Sequence, residues 1–142
     1  MIHVRVPGTL RYRDLAVRAV AAASKLVGAG DRNFDDQVVS AFGEAFNNVA
    51  MHAYEGRLPT EGDPELEVEI EIDVGRDYLT IRLKDRGASF NLNEVPPPDL
   101  DALPESGMGL FIIRSFMDEV LYCPGNPNVL SMTKRYSRTG EA

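Results

Sequence analysis

Glu44, Asn48 and His52 recur every four residues within FGEAFNNVAMHAY and bring a carboxylate, an amide and an imidazole into one short segment. An α-helix turns about 100° per residue, so each member lies about 40° around the axis from the one before. All three therefore share one stripe. Val38, Phe42, Ala45 and Val49 fall on an adjoining apolar line, which puts the polar stripe at the edge of a core, where a ligand pocket would open. Taken alone, the triplet is more simply two solvated helix residues and a half-buried histidine.

Two further segments carry chemistry. In LKDRGASF, Asp85 stands where a strand breaks into a loop, and Gly87 lets the chain turn closely past whatever Asp85 binds. A carboxylate there could accept a hydrogen bond from an exocyclic amine such as that of adenine; an ordinary Asp and Gly turn is the plainer alternative. In ESGMGLFIIRSFMDEV, Gly107 and Gly109 stand immediately before a helix. Glycines let backbone N–H groups approach an anion, and the helix N-terminus adds partial positive charge that favours phosphate. A flexible hinge would use the same residues.

The elements that must position these groups follow from pattern. Ile2, Val4 and Val6 alternate with His3 and Arg5 as a short strand ended by Pro7 and Gly8. Asp14 to Ala29 reads as a helix with a glycine stop, and Asn33 or Asp35 as the cap of a second helix running to about Tyr54. LEVEIEIDV, from Leu66 to Val74, alternates between apolar and acidic residues, and Tyr78 to Lys84 returns as its hairpin partner; the acids read as a solvated face. The segment 91–106, with Pro96 to Pro98, reads as extended chain. Gly109 to Met117 is helical, and Val120 to Cys123 and Val129 to Tyr136 are closing strands around PGNPN. The expected fold is α+β, a two-layer sandwich with helices on one face of a mixed, mainly antiparallel sheet.

A chain of 142 residues, 44% of them hydrophobic, suffices for one core, so a single domain over 1–142 is expected, with its core in 1–136 and a short tail at 137–142. The net charge of −7 gives no general attraction for nucleic acid or anionic lipid, so neither partner is expected. Cys123 cannot form an internal disulfide, and MIHVRVPGTL has no apolar stretch of signal-peptide length. Without a run of about 18 apolar residues no membrane span is expected, and the expected compartment is the cytoplasm.

Taken in order, Glu44, Asn48 and His52, then Asp85 and Gly87, then Gly107 and Gly109 resemble the N, G1 and G2 boxes of the Bergerat fold of the GHKL ATPases, the superfamily that includes gyrase and the histidine kinases. The finer wording FGEAFNNVAMHAY, KDRGASF and SGMGLFIIRSFMDEV resembles the bacterial anti-sigma factor serine kinases, the RsbW and SpoIIAB group. The resemblance covers roughly residues 1–136.

It implies an ATP- and Mg²⁺-dependent serine/threonine protein kinase. Glu44 would be the base that draws a proton from a serine hydroxyl, and Asn48 would ligate Mg²⁺. Asp85 would read the adenine amine with Gly87 supporting its loop, Gly107, Met108 and Gly109 would form the phosphate-side loop, and His52, at a family position near the pocket, would serve packing or phosphate proximity rather than a defined catalytic role. The implied partners are a STAS-domain anti-sigma factor antagonist as substrate, a sigma factor held in the other state, and a second copy in a homodimer. Rival readings are an ATP-gated binding module without phosphotransfer, and a GHKL kinase in a partner switch not involving a sigma factor. The segment between Phe90 and Gly107, short and acidic, would be the ATP lid. Three features depart from the family pattern. Glu105 stands where some relatives have Arg, Asn128, Val129, Leu130 and Ser131 stand where many have a Gly-Thr start to the last strand, and the proline run is additional. Ser131 or Thr133 could supply the hydroxyl that Gly-Thr would bring to adenine.

Overall fold

Alternation in LEVEIEIDV sets the middle of the sheet, because side chains of a strand point to opposite faces in turn. The protein is seen here as a computed structural model that describes residues 1–28, 30–53, 66–88 and 108–137, without the side chains of residues 52, 53 and 108. Its strands are β1 (Ile2–Pro7), β2 (Glu67–Val74), β3 (Tyr78–Asp85), β4 (Glu119–Cys123) and β5 (Asn128–Arg135), and its helices are α1 (Arg13–Ser24), α2 (Arg32–Asn48) and α3 (Met108–Phe116). The strands form one sheet in the order β1-β2-β3-β5-β4. All four pairings are antiparallel, so among the described strands the sheet has no parallel member.

One face of this sheet is apolar. Val68, Ile70 and Ile72 of β2, Leu79, Ile81 and Leu83 of β3, and Leu130 and Met132 of β5 are buried against the helices. From α2 come Phe34, Val38, Phe42, Ala45 and Phe46, from α1 Ala16, Val20 and Ala23, and from α3 Leu110 and Ile113. The apolar line beside the polar stripe is thus the core face of α2. Gly43 lies in that helix where a β-carbon would meet the Arg13 guanidinium, so a glycine lets α1 come close.

The opposite face is charged but not simply solvated. Arg5 pairs with Glu69 at 2.8 Å and Lys84 with Glu71 at 3.0 Å, while exposed His3 lies 3.7 Å from the same Glu71, which is only 9% exposed. Cross-strand pairs of this kind each add a few tenths of a kcal/mol to about 1 kcal/mol and help to fix register.

Two local expectations are corrected. α1 ends at Ser24 rather than Ala29, where the Ser24 hydroxyl lies 2.8 Å from both the Ala21 carbonyl and Asp35 Oδ1. Such a hydroxyl competes for backbone groups and favours a helix end. Gly30, with φ of 84°, makes its left-handed turn only after that end. The cap of α2 is Asp31, whose Oδ1 accepts from the Phe34 N–H at 3.1 Å, and not Asn33 or Asp35. Asp35 is instead engaged by Ser24.

Phe42 has no exposed surface and packs beside Phe46 in the helix–sheet seam. Phe42→Ala is expected to cost about 3–5 kcal/mol of stability, read as a lower midpoint in urea denaturation. A cost below about 1 kcal/mol would contradict this placement of the core.

Candidate functional site

Gly109 is the second residue of α3, and the fold brings it onto the polar stripe of α2. A β-carbon added there would lie 2.9 Å from Glu44 Oε2 and 3.6 Å from Asn48 Oδ1. Only a residue without a side chain lets the first turn of α3 approach the carboxylate this closely. Both Glu44 and Asn48 are half-buried, and neither side chain makes a hydrogen bond or ion pair among the described residues. Polar groups sheltered from water lose free energy without partners, so the pair is suited to groups brought by a ligand. The first turn of α3 adds N–H groups without intrahelical acceptors and a partial positive charge.

The donors fit Mg²⁺. Among the described residues no group of three His, Cys, Asp or Glu could cage a metal. Asn48 Oδ1 is a hard oxygen without a hydrogen-bond partner among the described residues. Mg²⁺ accepts such sites because it retains several waters and takes its other ligands from phosphates.

His52 is treated differently by the fold. The regular α-helix ends at Asn48, and Val49–Ala53 form a wider π-helical turn. The four-residue spacing therefore stops marking one stripe at Asn48. The side chains of His52 and Met108 lie outside the described residues, as do Gly107, Glu105 and the proline run. The backbone of Met108 opens α3.

Asp85 ends β3 in phase with Leu79, Ile81 and Leu83, which aims it to the helix side of the sheet; the strand runs one residue past the expected Lys84. It is buried, and its Oδ1 accepts from the Gly87 N–H at 2.9 Å, closing the turn that the two residues suggest. Burial pushes its carboxyl above the ordinary value of 3.8, against the opposing pull of hydrogen bonds from Asn128 and the Gly87 backbone.

Asn128 is the residue that sequence reasoning missed as a participant. β5 begins with it, one position earlier than expected, and it pairs in register with Asp85. It is fully buried, and its Nδ2 donates to Asp85 Oδ1 at 3.0 Å. Ser131 and Thr133 take the other phase of β5, and Thr133 Oγ1 lies 2.9 Å from Thr80 Oγ1. Neither stands beside Asp85. The one available signal was that Asn128 falls in phase with Leu130 and Met132, and its meaning depends on the β3–β5 register.

No helix among the described residues is long and apolar enough to cross a membrane. Residues 6–134 match the histidine kinase-like ATPase domain. The serine-protein kinases RsbW of Staphylococcus aureus strains JH9 and Newman are each 30% identical over 141 residues, spanning 94% of this chain and 85% of the relative. Among solved structures, the histidine kinase domain of the Erythrobacter litoralis blue-light activated histidine kinase is similar with a TM-score of 0.55 at 16% identity, over 94% of this chain and 63% of that one. Acinetobacter baumannii histidine kinase AdeS gives 0.53 at 10% identity, over 97% and 69%. The present chain thus spans less than two thirds of the first of these structures, and at such identities both speak for the fold alone. The five-stranded sheet covered on one face by the three helices among the described residues, a sequence match across most of the chain's length and relatives at 30% identity together assign the chain: it belongs to the histidine kinase-like ATPase family, among the relatives of the serine-protein kinase RsbW.

Proposed function

We propose that this protein is an ATP- and Mg²⁺-dependent serine protein kinase of the anti-sigma type. Its substrate is a serine of a STAS-domain antagonist, and in its other state it holds a sigma factor, working as a homodimer. The observation that carries the reading is the seating of Gly109 against Glu44 Oε2 and Asn48 Oδ1, which unites the carboxylate, the amide and a helix N-terminus. The RsbW relatives support the choice of serine as acceptor.

In this mechanism Asp85 accepts a hydrogen bond from the exocyclic amine of adenine, and the N–H groups at the start of α3 face the phosphates. Asn48 would hold Mg²⁺, which when bound would neutralise charge on the phosphates. The serine hydroxyl oxygen attacks the γ-phosphorus, the bond to the β-phosphate oxygen breaks, and ADP leaves. Glu44 takes the hydroxyl proton.

The test is incubation with labelled ATP and STAS-domain proteins. Label on a serine of one of them is the expected result. Normal ATP binding without transfer to any of them would remove the kinase assignment.

Gly109→Ala separates the site from the fold. An added methyl group must displace the Glu44 carboxylate, the mobile end of a side chain, while alanine itself favours the helix by up to about 1 kcal/mol. The melting temperature should hold or rise. Transfer should fall about 100-fold, as expected when a reacting group is displaced by about 1 Å. Unchanged transfer would show that Glu44 is not required at its present position.

A further inference from the structure

The amide of Asn128 is committed to the protein. Its Nδ2 donates to Asp85 Oδ1 and to the Gly87 carbonyl, each at 3.0 Å, and its Oδ1 accepts from the Gly125 N–H at 2.9 Å. An asparagine has two N–H donors and one carbonyl oxygen, so both donors are engaged and neither is left to read a base. Asp85 is left asymmetric by this arrangement. Its Oδ1 accepts from both the Asn128 amide and the Gly87 N–H, while Oδ2 accepts no hydrogen bond among the described residues. A fully buried amide opposite a buried carboxylate would be costly anywhere it was not satisfied; here each satisfies the other.

We infer that Asn128 is a positioning residue that sets nucleobase selectivity. By fixing Oδ1 it holds the Asp85 carboxylate in one orientation and leaves Oδ2 as the oxygen presented to the base. An acceptor so fixed favours a purine bearing an exocyclic amino group and disfavours one bearing a carbonyl oxygen at the same place, because two acceptors then face each other. A site built around one oriented hydrogen bond discriminates more sharply than one that relies on shape. The inference rests on the ATP reading above and adds to it a selectivity residue outside the three boxes.

Inosine triphosphate, which carries an oxygen where ATP carries the amine, is the probe. Calorimetric titration of the full chain with each nucleotide would compare wild type, Asn128→Ala and Asn128→Asp, with melting curves taken on each. Wild type is expected to bind ATP more tightly than inosine triphosphate. In Asn128→Ala, ATP affinity should fall about tenfold, the scale of one hydrogen bond to a charged group, while inosine triphosphate affinity stays the same. Asn128→Asp keeps the size and the acceptor for Gly125, removes both donors and sets a second carboxylate against Asp85. Its loss of ATP preference should be larger. A folded variant in which both affinities fall together, as a loosened pocket would give, or in which neither changes, overturns the inference. Absence of ATP binding by wild type overturns the proposed function instead.

Discussion

Glu44→Gln should bind ATP as wild type does and transfer phosphate about 10²–10⁴-fold more slowly, the range supplied by a positioned proton acceptor. The substitution keeps nearly the same shape against Gly109, where the carboxylate oxygen lies 2.9 Å from the position of an added β-carbon. What it removes is the ability to take a proton. Binding and single-turnover transfer measured on the same preparation separate the two effects. The result also divides the kinase reading from an ATP-gated binding module. If transfer survives the change, Glu44 is not the base; if wild type binds ATP without transfer and partner regulation survives the change, the second reading gains.

Asp85→Asn carries the other large effect, and it falls on binding. The Asn128 amide and the Gly87 N–H both donate to Asp85 Oδ1, so an asparagine at 85 would keep its oxygen there and turn its NH₂ toward the base. A donor would then face the donor of adenine. ATP affinity should fall about 100-fold or more, from loss of a charged hydrogen bond and creation of an unmatched one.

Stability should move the other way. Burial raises the Asp85 carboxyl above 3.8, so between that value and its raised value the folded protein binds a proton that the unfolded chain has released. Stability therefore declines as pH rises through this window, and at neutral pH the full cost of a buried charge is present. Asp85→Asn removes that cost and should melt no lower than wild type at pH 7. ATP binding by wild type should weaken as pH falls toward the raised value, earlier than for an ordinary aspartate, because the protonated carboxyl is a poorer acceptor. In the variant that acid limb should be missing. A variant that binds ATP normally would remove Asp85 from the base-reading role.

The residues easiest to place from sequence were those governed by short-range periodicity. LEVEIEIDV gave its strand and inward face directly, and the line of Val38, Phe42, Ala45 and Val49 marked the buried side of α2. Glu44 and Asn48 could be set beside that line because regular helix continues as far as Asn48. His52 lies past the change to a π-helical turn, a change that no residue type in VAMHA announces. The early end of α1 depends on a hydroxyl meeting an aspartate 11 residues away. Asn128 was harder still. Its partner Asp85 is 43 residues distant, and only the register of β3 with β5 makes the two a pair. Local pattern thus fixed which faces are apolar, while the polar contacts that tune the site come from long-range pairing.

The most direct test of the ATP site is a crystal structure with Mg²⁺ and a non-hydrolysable ATP analogue. The expected density places the adenine amine at Asp85 Oδ2 and the phosphates at the start of α3, with the metal on Asn48 Oδ1. A nucleotide bound elsewhere, or no nucleotide in the crystal together with no ATP binding in solution, would contradict it.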